Sequence, residues 1–216
     1  MGINTQDIAT LRDKTGAGMM AVKKALDEAH GDMEKAIDIL RKTGVAKAAK
    51  RAGKIAAEGV VSSYIHAAGK IGVLVEVNCE TDFVAKNEGF LSLVADIGLH
   101  IAAAGPKYLS PEEVPAEEMD REKDIYRVQL QNEGKPAEMI EKILEGKMAK
   151  YYGDVCLLQQ KFIKDEEKTI EQLLIEKTGE IGEKVSIRRF ARYELGEGIE
   201  KETKNLAQEV AEQLGE

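Results

Sequence analysis

The sequence predicts an α+β fold: an N-terminal three-helix module, a core in which a small antiparallel sheet packs with helices, a projecting helical hairpin and a C-terminal helix. Three observations carry this expectation. Residues 4–44 place apolar side chains three and four apart between glycine stops, the mark of short amphipathic helices. Residues 73–78 alternate instead, Val73, Val75 and Val77 being interleaved with Leu74, Glu76 and Asn78, the period of a half-buried strand. Aromatics make up only 5% of the 216 residues and Trp is absent, which suits small helical packing better than a β-sandwich.

Along the chain, "TQDIATLRDKTG" sets Ile8 and Leu11 one helical step apart, with Thr5 as candidate N-cap and Gly16 as the stop. "MMAVKKALDEAHGD" repeats Val22, Ala25, Leu26 and Ala29 and stops at Gly31. Asp32 caps a third helix holding Met33, Ala36, Ile37 and Leu40, which ends at Gly44. Residues 1–45 thus read as a UBA-like (ubiquitin-associated type) three-helix module, followed by a basic linker over 46–54. "EGVVSSYIHAAGKIGVLVEVN" reads as a β-hairpin, with strands at 60–65 and 71–78 and a turn at 67–70. A helix over 87–104 puts Phe90, Leu93, Val94, Ile97 and Ile101 on one face, and Pro106 ends it.

The acidic stretch that follows is largely helical. Met139, Ile140, Ile143, Leu144, Met148, Tyr151 and Tyr152 then recur at helical spacing, Gly153 breaks the run, and a second apolar arm returns through Val155, Leu158 and Phe162. This predicts a projecting helical hairpin over about 137–163. "TIEQLLIEKTG" is a further short helix, and "EKVSIRRFARYEL" a strand that could complete the sheet, so the core domain spans 55–200. Leu206, Val210 and Leu214, four apart, give a C-terminal helical module over 201–216.

The formal net charge of -8 and pI near 5.2 make a nucleic-acid polyanion an unobvious partner. The run "RKTGVAKAAKRAGK" is an exception, with Arg41, Lys42, Lys47, Lys50, Arg51 and Lys54 and no acid. It could bind RNA phosphates, but four alanines and no aromatic for base stacking favour a solvated connecting helix. No apolar run approaches the ~20 residues of a membrane span, and the start has neither a signal peptide's apolar centre nor a transit peptide's shortage of acids. A cytoplasmic location is expected, with Cys79 and Cys156 as reduced thiols at no metal-binding spacing.

Chemistry is hard to find. His30 reads as a helix C-terminal cap, His66 adjoins the hairpin turn, and His100 lies one step from an apolar helix face. No HExxH, HxH or His/Cys cluster appears, so no metal or cofactor is expected. Cys79 with a histidine and Asp82 matches a thiol protease in residue type alone, and as a strand residue it suits a small apolar filler. "GEGIEK" (196–201) follows a strand as a dinucleotide loop would, but Lys201 stands at the third glycine position and Glu194, Glu197 and Glu200 would repel a pyrophosphate. There is no GxxxxGK[ST]. The expectation is a partner-binding protein rather than an enzyme. Thr81, Asp82, Phe83 and Val84 follow the strand that holds Val77. Asp82 and Phe83 read either as a hot-spot pair on an exposed turn or as a capping acid beside a ring folded into the core; periodicity alone leans to the core.

Four motifs resemble the elongation factor Ts family. "LRDKTGAGMMAVKKALDEAHGDMEKAIDILRKTG" (11–44) is similar to its amino-terminal module and "VNCETDFVAKNEGF" (77–90) to its signature loop. "HIAAAGPKYL" (100–109) is similar to its core helix end and "GEGIEK" to its carboxy-terminal module. The resemblance implies a guanine nucleotide exchange factor without catalytic residues of its own. It would bind elongation factor Tu, GDP-bound or nucleotide-free, dislodge magnesium and release GDP so that GTP can bind. The loop Thr81, Asp82, Phe83 and Val84 would enter the GTPase beside the nucleotide. Leu11, Arg12, Gly16, Met19 and Met20 would grip it near its phosphate loop, with His100 and the carboxy-terminal module around Gly198 adding contacts. Longer members carry two core subdomains and this chain has room for one. Short members of this kind resemble it, and a second chain can supply the missing half, so the resemblance leaves monomer and homodimer open.

Overall fold

The computed structural model describes residues 4–199 and is α+β. The helix expected from Leu206, Val210 and Leu214 lies outside the described residues. Several helices begin where a side chain accepts from free N–H groups. α1 (Thr5–Thr15) is capped by Asn4, which accepts from the Asp7 amide, so Thr5 is the first helical residue rather than the cap. Asn4 has the extended backbone a cap needs, and an amide oxygen serves there as well as a hydroxyl. α2 (Met19–Glu28) and α3 (Met33–Arg51) follow, the latter capped by Asp32, which accepts from the Glu34 and Lys35 amides. Between them His30 and Gly31 both have positive φ, making the left-handed turn that reverses the chain. Leu11, Val22, Ala25, Leu26, Ala29 and Ala36 form the small core of these three helices.

α3 does not stop at Gly44. It runs on to Arg51, so a division at 45/46 falls inside one helix and most of 46–54 is not a linker. Gly44 is instead the point where α3 crosses α8 (Ile170–Ile181): a Cβ on Gly179 of α8 would stand 2.6 Å from the Gly44 Cα. A glycine at a helix crossing looks the same in sequence as one placed to end a helix.

The hairpin and the late strand form one antiparallel sheet, with β2 (Ile71–Cys79) between β1 (Glu58–His66) and β5 (Ser186–Glu194). Val73, Val75, Val77 and Cys79 face α5 (Glu88–Ala104), whose Phe90, Leu93, Val94, Ile97 and Ile101 are buried against them. Asn87 caps α5 and Gly105 ends it in the left-handed conformation. The opposite face of the sheet is uncovered, and Val61, Ile65, Leu74 and Tyr193 stand exposed. A bulge opposite Glu76 and Val77 lets the consecutive Arg188 and Arg189 both reach the Glu76 carboxylate, at 2.9 and 2.7 Å.

The helical hairpin is made of α6 (Ala116–Asn132) and α7 (Ala137–Val155), not of 137–163. Gly153 lies within α7, since one helical glycine costs only about 1 kcal/mol and burial of Tyr151 and Val155 carries the helix past it. The expected returning arm is a short 3-10 turn followed by β3 (Lys161–Phe162), which pairs with β4 (Asp165–Thr169). At the hairpin base Tyr108 and Tyr151 each donate to the Glu118 carboxylate at 2.6 Å. Among the described residues no helix is long and apolar enough to cross a membrane.

His100 is a core residue, 1% exposed. Its Nδ1 accepts from the Ile163 amide at 3.2 Å, which assigns the ring proton to Nε2, 3.1 Å from Gln160 Oε1; Gln160 in turn donates to the Asp154 carbonyl. Burial holds its pKa below the ordinary 6.5, only partly offset by the Gln160 bond. A depressed histidine pKa means that the unfolded chain takes the proton more readily, so this contribution is present above the unfolded value and is lost as pH falls below it. The melting temperature should therefore drop between about pH 7.5 and about 5.5, and less steeply in His100→Gln. His100→Ala, which strands the Ile163 amide and Gln160, should cost about 1–3 kcal/mol at neutral pH in urea unfolding.

Candidate functional site

The chain leaves β2 at Cys79 and enters a single helical turn, α4 (Asp82–Ala85), through Glu80 and Thr81. So short a helix has little stability of its own, since one turn fixes several dihedrals for one or two hydrogen bonds. Side chains supply the rest. Thr81 caps the turn, its Oγ1 accepting from the Val84 amide at 3.5 Å, a long bond. The stronger ties come from the α8–β5 connection. The Glu183 carboxylate accepts from the Thr81 amide at 3.0 Å and from the Thr81 hydroxyl at 2.7 Å. Glu80 answers in the opposite direction, accepting from the Lys184 amide at 2.7 Å and from Arg51 at 2.9 Å. Two carboxylates thus bind two segments to each other, each satisfying a backbone N–H of the other segment, and such charge-assisted bonds are the stronger kind.

On the core side Ala85 is buried and Val84 packs against the main core. On the other side Phe83 is 81% exposed. The two readings of Asp82 and Phe83 are thereby resolved: the ring is displayed, not folded in. Asp82 is also exposed and meets Lys86 at 2.8 Å, one helical step away. The Lys86 ammonium holds the Asp82 carboxyl below its usual range. An exposed pair of this kind contributes little to stability, so Asp82 can change partner at small cost.

The other expected contact residues divide. Arg12, Gly16, Met19 and Met20 are exposed, Met20 by 76%. Gly16 has φ of 65° and closes α1. Leu11 is completely buried at the centre of the three-helix core, so its expected contact role is corrected to a structural one. The same correction applies to His100, whose burial leaves no surface to offer a partner. Gly198 lies in an exposed turn after β5, with φ of 75°.

Cys79 and Cys156 are both buried and unpaired. Burial pushes the Cys79 thiol up and the Cys156 thiol to about 11, the reverse of what a nucleophilic thiol needs. Glu80, Glu183 and Lys184, which hold the turn, have no role in the sequence expectations, and Arg51 figures there only in the basic run. Thr81 and Glu183 are 102 positions apart, and no local pattern connects them.

Residues 4–197 match the family model described as Elongation factor TS. Elongation factor Ts of Acetivibrio thermocellus is 58% identical, covering 98% of this chain and 99% of its own. That of Desulforamulus reducens is also 58% identical, over 98% of both chains, and that of Geobacter sulfurreducens is 56% identical over 100% of both.

Glu183→Ala removes the acceptor of both Thr81 groups and should cost about 1–3 kcal/mol in urea unfolding, with strong coupling to Thr81→Ala in a double-mutant cycle. Phe83→Ala should change stability by no more than about 0.5 kcal/mol, as an exposed side chain does. A loss of several kcal/mol there would mean that the ring belongs to the core.

Proposed function

The chain belongs to the elongation factor Ts family, and from that premise we propose that it is a guanine nucleotide exchange factor for elongation factor Tu. The observation that carries the reading is a bare aromatic ring on a turn too short to hold itself, fastened from behind by two glutamates. Phe83 enters an apolar pocket of the GTPase beside its nucleotide. Asp82 leaves Lys86 and engages a polar group of the GTPase near the bound magnesium, so that the metal is dislodged. Arg12, Gly16, Met19 and Met20 of the UBA-like three-helix unit make a second contact near the phosphate loop, and the carboxy-terminal module around Gly198 a third.

A GTPase holds GDP through magnesium and a cradle of phosphate-loop amides. Burying Phe83 and the two methionines stabilises a GTPase conformation in which that cradle is spoiled. The factor and the nucleotide weaken each other by the same coupling free energy, GDP leaves, and returning GTP expels the factor. No bond is made or broken in the exchange, and no general acid or base is needed.

We further infer that two copies pair through the uncovered sheet face. Support comes from Val61, Ile65, Leu74 and Tyr193, apolar side chains exposed on one antiparallel sheet, and from Glu76, whose charge is already matched by Arg188 and Arg189 on that face. The pairing is non-covalent, because both cysteines are buried.

Release of a fluorescent GDP from elongation factor Tu should be accelerated by this protein, and Phe83→Ala should reduce the acceleration at least about tenfold, with Asp82→Ala also reducing it. Acceleration that survives both changes would leave the family intact and reject this mechanism. In sedimentation the wild type should run as a dimer and Leu74→Glu as a monomer; a monomeric wild type would reject the pairing.

A further inference from the structure

The two contact elements of the proposed interface belong to different parts of the chain, yet one short segment touches both. At the end of α8, Gly179 meets Gly44 of α3 so closely that a Cβ there would stand 2.6 Å from the Gly44 Cα and 2.9 Å from its carbonyl oxygen. The next residue, Glu180, lies against Gly16 in the α1–α2 turn, where a Cβ would come within 3.1 Å of its carboxylate. Glu183 holds Thr81. Lys184 donates from Nζ to the carbonyls of Ala52 and Lys54, just past α3, and from its amide to Glu80. Residues 179–184 therefore touch the three-helix unit that carries the exposed Met19 and Met20 on one side and the turn that carries the exposed Phe83 on the other.

We propose that the Gly44–Gly179 crossing, with Lys184 as its second tie, sets the spacing between the methionine pair and Phe83, so that both meet the GTPase in one binding event. Gly179 and Lys184 are positioning residues, and their role rests on the exchange reading above. Two contacts on one rigid body act at high effective concentration; the gain disappears when geometry forbids simultaneous engagement. The crossing is asymmetric in a way that tests this. A Cβ on Gly44 would meet only the Gly179 Cα, at 3.9 Å, an ordinary contact, whereas a Cβ on Gly179 runs into backbone that cannot move aside. Gly179→Ala should thus part the two helices, and Gly44→Ala should not.

The experiment uses the full chain with spin labels on Lys24→Cys and Ser92→Cys, exposed positions on α2 and α5; the native cysteines are buried. Label separation is measured beside GDP release from elongation factor Tu. Gly179→Ala should shift the separation and lower the acceleration about tenfold, while Gly44→Ala stays within about twofold of wild type in both. A shifted separation with undiminished exchange overturns the proposal, and so does an unshifted one. If Gly179→Ala does not fold, Lys184→Met decides: it removes the second tie without adding bulk, and should shift the separation and lower the acceleration several-fold, with unchanged values overturning the proposal. If the wild type fails to accelerate release, or Phe83→Ala accelerates it fully, the exchange reading falls, and the label separations alone then decide whether the crossing sets the spacing.

Discussion

Everything distinctive about the site depends on Glu80 and Glu183 each accepting a backbone N–H from the other's segment. One glutamate leaves β2 and takes the Lys184 amide; the other leaves α8 and takes the Thr81 amide and hydroxyl. Neither bond alone would fix a single-turn helix. Together they close a loop of constraint around it, and α4 keeps its shape although one side faces solvent. That lets Phe83 be displayed without being needed for folding. A ring whose position depends on its own burial could not leave for a partner without unravelling its support.

The same economy appears across the fold. The main core lies between β2 and α5, while the three-helix unit has only a small core of its own and leans on α8 through a glycine contact. Among the described residues, exposed apolar side chains include Met19 and Met20 on α2, Phe83 on α4, Ile125 and Val128 on α6, and Val61, Ile65, Leu74 and Tyr193 on the uncovered sheet face. Single exposed apolar side chains need no explanation, but grouped ones on rigid elements are what association surfaces are built from.

Much of this was legible in the sequence, for physical reasons that can be named. Val73, Val75 and Val77 announce β2 because a strand buried on one face must alternate, and Phe90, Leu93, Val94, Ile97 and Ile101 announce α5 because a helix against a sheet must keep one apolar stripe. The failures also have causes. Gly44 reads as a helix stop because the helix that crosses it there, α8 at Gly179, is distant in sequence. The acidic stretch reads as largely helical but not as the first arm of the hairpin, because, apart from Leu130, its residues stay at least partly exposed and leave little periodicity to show which face packs. His100 appears off the apolar face of α5 because its burial depends on Gln160 and Ile163, which arrive from beyond α7. Periodicity leans to a buried Phe83 and misplaces the ring, since a four-residue helix is too short to show which face it buries. The glutamate clamp was invisible because hydrogen bonds across a hundred residues leave no local mark.

The most direct test of the account is native-state amide hydrogen exchange in the free protein, read at Thr81 and Lys184. A turn held by the two glutamates before any partner arrives predicts protection at both amides approaching that of central β2 residues such as Val75. Exchange at both at the rate of an unstructured loop would contradict it, because the turn would then form only on binding and Phe83 would not be presented in advance.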